Sequence, residues 1–295
     1  MTIIRSIILS IALSLCAFSA QCQTKRAFLV GISEYTTLTQ PSDDVWSNIH
    51  GVNDVDLLSK TLKKQDFYIK RITDKEATAH RIRKELPRFI SNCQPGDIVY
   101  FHFSCHGQPV EDINGDEDDG WDEALVPVDA QKFYQKGDYT GENHIIDDEL
   151  NEYLRSIRTK VGVKGFVYVV IDACHAGSSY RGDEEEDSVI IRGTNKGFST
   201  SNKQYTPRID KRGKIKIEKS ASMANICILE ACRSYQVNSE IREDGKYYGS
   251  LSFYVDKILR ATELNRNISW TEKVALLMNK DSRLLRQNPV IETSL

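Results

Sequence analysis

The sequence lacks a strong excess of charge of either sign. Across 295 residues the formal net charge is −3. A protein that binds nucleic acid as its main partner needs a concentrated basic surface to neutralise phosphates. The balance of charge therefore argues against nucleic acid as the main partner. The sequence has no internal repeat of the kind that solenoid proteins show.

Long apolar runs are also scarce. One lies near the N-terminus, where Arg5 precedes an apolar stretch over residues 7–18 and small and polar residues follow over 19–23. This order predicts a signal peptide over residues 1–22 and export to the periplasm, the cell surface or the medium. The stretch is short for a membrane span, although a retained N-terminal anchor is the alternative. No later run is long and apolar enough to cross a bilayer, so we expect no transmembrane span in the mature chain.

Among the seven cysteines there is no C-x-x-C motif. Its absence disfavours a zinc ribbon or a thioredoxin-like redox site. Five cysteines lie beyond the predicted signal peptide, and an odd number leaves at least one free thiol unless chains pair. A reactive cysteine is therefore a candidate.

Apolar runs alternate with amphipathic stretches along most of the chain. Runs that stop at polar residues or glycine predict buried strands, and spacings of three and four predict helices. The predicted strands lie at 26–32, 67–72, 97–104, 165–172 and 224–232, and the predicted helices at 51–65, 78–93, 147–157, 249–263 and 270–285. This alternation predicts an α/β fold with a central, mostly parallel sheet flanked by helices on both faces.

A polar stretch interrupts this pattern. It contains an acidic cluster at 183–187 and a region rich in Lys and Arg from Gly193 to Ser222. We interpret residues 181–222 as a long flexible linker between a larger region, 25–180, and a smaller one, 223–295.

Two reactive motifs follow neighbouring predicted strands. His106 and Gly107 follow the strand at 97–104, and Cys174 follows the strand at 165–172. In parallel sheets, ligand sites lie beyond the carboxyl ends of the strands. An imidazole beside a thiol activates it as a nucleophile, and the backbone N–H groups of Gly107 and Cys174 are candidates for binding an oxyanion. The alternative is that Cys174 is an inert buried thiol.

The motifs in this order resemble the caspase-like fold, and within it they are most similar to metacaspases and their bacterial relatives. The resemblance covers roughly residues 25–260. It is carried by the segments 28–32, 51–54, 100–107, 124–129, 171–177 and 230–234. The Gln-Ala-Cys signature of true caspases is absent around Cys174, which favours the metacaspase side.

The resemblance implies a cysteine endopeptidase in which His106 is the general base and Cys174 the nucleophile. It further implies that Asp54, Ser104 and Asp172 form a pocket for Arg or Lys before the cut. A buried carboxylate selects a cation because an unpaired buried charge is costly. From the residues alone, Asp172 is as well explained as a cap on the following turn.

The resemblance also implies a calcium site at Asp122, Asp147 and Asp148. The segment 112–123 is rich in the carboxylate oxygens that calcium prefers, although it lacks the glycine placement of an EF-hand loop. The alternative is a solvated acidic loop.

The function predicted from the sequence is hydrolysis of protein or peptide substrates after Arg or Lys. Self-processing within the linker is part of this hypothesis, with cationic candidates at Lys196, Lys203, Arg208, Lys211, Arg212 and Lys214. Two alternatives remain open, and the first of them uses the same dyad. One is another Cys-His acyl transferase or amidase, and the other is a non-catalytic, caspase-like binding module.

Overall fold

The computed structural model describes residues 23–35, 45–174, 189–207 and 217–295. The predicted signal peptide and the acidic cluster at 183–187 lie outside these ranges, so export stays a prediction. Within the described ranges, no helix is long and apolar enough to cross a membrane.

A six-stranded sheet forms the centre of the fold, as predicted. Its strands are β1 (Lys25–Gly31), β2 (Phe67–Thr73), β3 (Ile98–Ser104), β7 (Phe166–Asp172), β8 (Asn225–Glu230) and β11 (Val290–Thr293). Their order in the sheet is β11–β8–β7–β3–β1–β2, and all neighbours run parallel except the edge strand β11, which is antiparallel to β8. Every residue of β3 and β7 is buried, which explains why both read as continuous apolar runs.

Helices cover both faces of this sheet. On one face lie α2 (Ala79–Asn92) and α3 (Asp147–Val161), and on the other lie α1 (Gly51–Lys63), α4 (Ser250–Leu259) and α5 (Ser269–Lys280). Alternate residues of β3 divide between two hydrophobic clusters, with Phe101 and Phe103 in one and Tyr100 in the other. The predicted α/β class is therefore confirmed.

Smaller strands lie beside the sheet and were not predicted. A three-stranded antiparallel sheet contains β4 (His106–Glu111), β5 (Trp121–Val126) and β6 (Ile145–Ile146), and a hairpin pairs β9 (Glu240–Glu243) with β10 (Lys246–Gly249). These segments mix polar and apolar residues and are short. They therefore lack the apolar periodicity that reveals the central strands.

The N-terminus of α1 lies unusually close to the carboxyl end of β3. A Cβ atom on Gly51 would lie 2.3 Å from the Ser104 carbonyl oxygen, so only glycine fits there. This contact places Asp54, in the first turn of α1, next to the end of β3.

Candidate active site

The ends of β3 and β7 define the position of the candidate site. Ser104 and Asp172 are register partners in the two parallel strands. His106 and Cys174 each lie two residues further on. The predicted dyad is therefore on one edge of the sheet, on neighbouring strands.

The His106 imidazole is buried between aromatic rings. It stacks on Trp46, with 4.9 Å between ring centroids, and its centroid lies 4.8 Å from that of Tyr35. Nε2 lies 2.8 Å from the Ser47 carbonyl oxygen. Because a carbonyl only accepts, Nε2 carries the proton, and Nδ1 has a free lone pair.

Nδ1 of His106 has no hydrogen-bond partner among the described residues. Burial lowers the pKa of His106 to about 3, although the bond to Ser47 acts in the opposite direction. The ring is therefore neutral, and Nδ1 is able to accept a proton.

Cys174 is fully buried, and its sulfur lies beside a second thiol. Its Sγ donates to the Gln236 carbonyl oxygen at 2.8 Å, and the Cys232 Sγ lies 3.3 Å away. His106 Nε2 bonds to Ser47, and Nδ1 has no hydrogen-bond partner among the described residues. The thiol and the imidazole therefore lie at the same edge of the sheet without a direct hydrogen bond between them. Proton transfer between them requires the thiol to turn away from Gln236.

The three residues predicted to form a pocket lie close together and surround a cation of the same chain. Ser104 Oγ donates to Asp54 Oδ2 at 2.7 Å. The guanidinium of Arg192 lies against both residues, with Nη1 at 2.6 Å from Ser104 Oγ and 2.8 Å from Asp54 Oδ2. Asp172 Oδ1 lies 3.7 Å from the same nitrogen. Arg192 is fully buried and occupies the predicted pocket.

Glu240 is a fourth pocket residue that sequence reasoning missed. Its Oε1 accepts from Arg192 Nε at 3.1 Å and from Nη2 at 2.8 Å. Glu240 begins a short strand in a polar stretch, and nothing in its local sequence indicates a partner 48 positions away.

The pocket charges are balanced by their neighbours. Burial acts to raise the pKa of Asp172, but Arg192 and hydrogen bonds from Asn238 and Ser252 hold it below its usual range. Burial raises the pKa of Asp54 to about 6 despite the opposing charge of Arg192. The three carboxylates raise the pKa of Arg192 although burial acts to lower it. The guanidinium is therefore charged, and the three carboxylates surround it.

The backbone around Arg192 is extended and pairs with the segment that leads into β9. Arg192 N donates to the Asn238 carbonyl oxygen at 3.0 Å, and Glu240 N donates to the Ile190 carbonyl oxygen at 2.9 Å. Ile191 forms an antiparallel bridge with Ser239. Residues 190–192 thus add a short strand to this segment.

The carbonyl group of Arg192 lies at Cys174, the predicted nucleophile. Cys174 N donates to the Arg192 carbonyl oxygen at 2.8 Å. Gly193 follows so closely that an added Cβ would lie 1.9 Å from the Cys174 carbonyl oxygen, a distance that no side chain tolerates. The Arg192–Gly193 peptide bond therefore lies directly against Cys174. Gly107, the other predicted oxyanion donor, pairs with Leu125 in the ladder of β4 and β5.

The described part of the predicted linker packs on the domain. Phe198 is buried, and its backbone bonds with Pro109 and Glu111 of β4. Arg192 and Thr194 are buried as well. Residues 192–198 thus pack against the domain, which the polar composition of the stretch did not indicate.

The acidic segment brings carboxylates together near β5. One carboxylate oxygen from each of Asp112, Asp116 and Asp122 lies within 4.8 Å of the others. Asp122 is buried, and its Oδ1 has no hydrogen-bond partner among the described residues. Burial, followed by the charges of its acidic neighbours, raises the pKa of Asp122 to about 7.

The other two predicted calcium ligands lie next to this cluster. Asp147 accepts from Glu123 N at 3.2 Å, and Asp148 accepts from Asn114 Nδ2 at 2.8 Å. Their charges are among those that raise the pKa of Asp122. The family resemblance did not single out Asp112 and Asp116, although both lie in the acidic segment 112–123.

Comparisons with solved structures show the same fold. A crystal structure of a protein from Geobacter sulfurreducens superposes with a TM-score of 0.61 at 19% identity, covering 92% of this chain and 93% of that one. Caspase-1 from Spodoptera frugiperda superposes with a TM-score of 0.50 at 15% identity, covering 92% and 86%. The protein therefore has a caspase-like α/β fold.

Sequence comparisons give the family. The model of the metacaspase, peptidase C14 domain matches residues 25–181. Metacaspase-2 from Arabidopsis thaliana is 34% identical over 162 residues, which are 52% of this chain and 35% of that protein. Metacaspase-1B from Neosartorya fischeri is 26% identical over 282 residues, which are 82% and 63% of the two chains.

The chain belongs to the metacaspase peptidase C14 family, a family of cysteine-type endopeptidases, as the sequence motifs predicted. It spans between a third and two thirds of the length of the curated relatives named above.

Proposed function

We propose that this protein is a cysteine endopeptidase that hydrolyses peptide bonds after Arg or Lys. One observation carries the proposal. Arg192 fills a buried pocket of carboxylates while its own carbonyl group lies against the N–H of Cys174. An extended peptide with a cation at this position would present its carbonyl carbon to the thiol in the same way.

The dyad supplies the chemistry in two steps. His106 Nδ1 takes the thiol proton, and the Cys174 sulfur attacks the carbonyl carbon of the substrate. The N–H of Cys174, joined by that of Gly107, stabilises the negative charge on the oxygen. The C–N bond then breaks, and the leaving amine takes the proton from His106. Water hydrolyses the thioester and restores the thiol.

Reporter peptides that differ only in the residue before the cut test the proposal. We expect the chain to hydrolyse Arg- and Lys-terminated peptides and to leave an Asp-terminated peptide intact. Asp54→Asn should lower kcat/KM for the Arg peptide about 10- to 100-fold, because a charge-assisted hydrogen bond to the guanidinium is lost. Asp138→Asn, at an exposed carboxylate, is the matched control.

The alternatives give other results in this assay. An amidase or acyl transferase that uses the same dyad would show no preference for a cation and no dependence on Asp54. A non-catalytic binding module would hydrolyse none of the peptides.

Self-processing follows from the same arrangement. The segment that occupies the site lies in the predicted linker, and the bond at Cys174 is Arg192–Gly193. We propose this bond as the one that the protein cuts in itself. Arg192 was not among the cationic candidates named from the sequence.

Calcium is proposed as the ion of the acidic cluster. The buried, unpartnered Oδ1 of Asp122 and the neighbouring carboxylates of Asp112 and Asp116 fit a hard cation with oxygen ligands. Asp147 and Asp148 add negative charge next to them. A bound calcium ion would neutralise this charge and hold the loop 112–120 on β5.

Calcium should therefore stabilise the fold. At a free concentration about 100 times the dissociation constant we expect the melting temperature to rise by about 5 °C. Asp122→Asn should abolish the rise, whereas Asp138→Asn should leave it unchanged. An equal melting temperature with calcium and with chelator would contradict the proposal.

A further inference from the structure

We propose that Glu240 makes the pocket select arginine over lysine. The inference rests on the proposed peptidase activity and narrows its substrate class. Sequence reasoning left Arg and Lys equivalent, since a carboxylate pocket attracts either cation. The geometry around Arg192 distinguishes between them.

The pocket contacts the guanidinium from two sides. On one side, Nη1 meets Ser104 and Asp54. On the other side, Nε and Nη2 both donate to a single carboxylate oxygen of Glu240, at 3.1 and 2.8 Å. The side chains of Arg192 and Glu240 are both fully buried. This is recognition of a planar, forked donor rather than of a point charge.

Contacts with His50, which do not involve Arg192, hold the Glu240 carboxylate in place. Its Oε1 accepts from His50 N at 2.7 Å, and its Oε2 lies 2.5 Å from His50 Nδ1. The His50 ring stacks on Tyr247, with 5.0 Å between centroids. The backbone of Glu240 also belongs to the segment that pairs with residues 190–192. The carboxylate is therefore fixed both to the fold and to the peptide-binding segment.

Lysine cannot make this set of contacts. Its side chain has no donor at the position of Nε, and one ammonium group cannot reach Asp54 and Glu240 in the places of Nη1 and Nη2 together. A lysine bound through Asp54 and Ser104 would leave Glu240 without the two bonds that Arg192 gives it. The loss of charge-assisted hydrogen bonds at a buried carboxylate should lower kcat/KM for the lysine substrate about 10- to 100-fold relative to the arginine substrate.

The test compares kcat/KM for two reporter peptides that differ only in Arg or Lys before the cut. The wild-type chain should prefer Arg about 10- to 100-fold. Glu240→Gln should bring the ratio close to one, mainly by lowering the Arg value. Glu243→Gln, on the same strand and paired with Arg283 at the surface, should keep the wild-type ratio.

The outcomes separate this inference from the proposed function. Hydrolysis of both peptides at similar rates by the wild-type chain would overturn the selection of arginine and leave the peptidase standing. A ratio that survives Glu240→Gln would equally overturn the role of Glu240. Failure to hydrolyse either peptide would instead contradict the proposed function itself.

A measurement on the wild-type chain guards against a variant that fails to fold. An alkylguanidinium ion and an alkylammonium ion of equal length serve as competitive inhibitors of Arg-peptide hydrolysis. We expect the guanidinium to inhibit at about a tenfold lower concentration or better. Equal inhibition constants would contradict the inference without any mutation.

Discussion

Replacing Cys174 with alanine should abolish hydrolysis of Arg-terminated peptides. The proposed reaction forms its covalent intermediate on the Cys174 sulfur, and the thiol supplies the proton that His106 takes. Loss of a nucleophile in a comparable catalytic unit costs several orders of magnitude, so we expect kcat/KM to fall at least about 10⁴-fold. The fold should persist, because alanine replaces a small buried side chain.

A matched control separates the loss of the nucleophile from a general loss of structure. Cys227 is a buried thiol of β8, on the sheet face away from His106 and Trp46. Cys227→Ala should keep most of the activity, and both variants should give the circular dichroism spectrum of the wild type. Activity retained in Cys174→Ala would exclude Cys174 as the nucleophile.

The second large effect is cleavage of the chain by itself. The purified protein should produce a new N-terminus at Gly193, visible by mass spectrometry, and Cys174→Ala should not produce it. Because Arg192 is already seated in the pocket of its own chain, the rate should not depend on protein concentration. The closeness of Gly193 to Cys174 also predicts that Gly193→Ala slows the cut.

Variants of the linker identify the bond. Arg192→Ala should remove the cut at Gly193, whereas Lys196→Ala, four residues along, should leave it in place. A cut after Lys196 or Lys203 in the wild-type chain, with Arg192–Gly193 intact, would contradict the assignment. It would mean that Arg192 is a permanent structural cation and not an internal substrate.

The central sheet could be predicted from the sequence because its strands are buried on both faces. β3 and β7 are continuous apolar runs, and their predicted bounds differ from the observed ones by one residue at the start. The short antiparallel strands β4 to β6 could not be predicted in this way. They are short and mix polar and apolar residues, so local periodicity does not reveal them.

The site was predictable in part. The family resemblance singled out Asp54, Ser104 and Asp172, of which Ser104 and Asp172 end β3 and β7 and Asp54 lies in the first turn of α1. Arg192 and Glu240 lie in polar stretches, and their importance comes from their contact with each other and from the contact of Arg192 with Asp54. A signal for Arg192 did exist, since the apolar residues at 189–191 interrupt the polar linker just before an Arg-Gly pair.

The surroundings of His106 depend on contacts that no local pattern reveals. Trp46 and Ser47 lie about sixty positions before it, and they determine which ring nitrogen carries the proton. A strand-end histidine followed by glycine indicates a candidate base. Only the fold shows that Nδ1 is the nitrogen left to accept the proton.

Covalent labelling tests the central claim most directly. A peptidyl acyloxymethyl ketone that ends in arginine, and a matched one that ends in aspartate, are incubated with the self-cleaved chain and with Arg192→Ala. The labelled residue is then identified by mass spectrometry. The account predicts that the arginine reagent modifies Cys174 and that the aspartate reagent does not. Equal labelling by both reagents, or labelling of another cysteine while Cys174 stays unmodified, would contradict it.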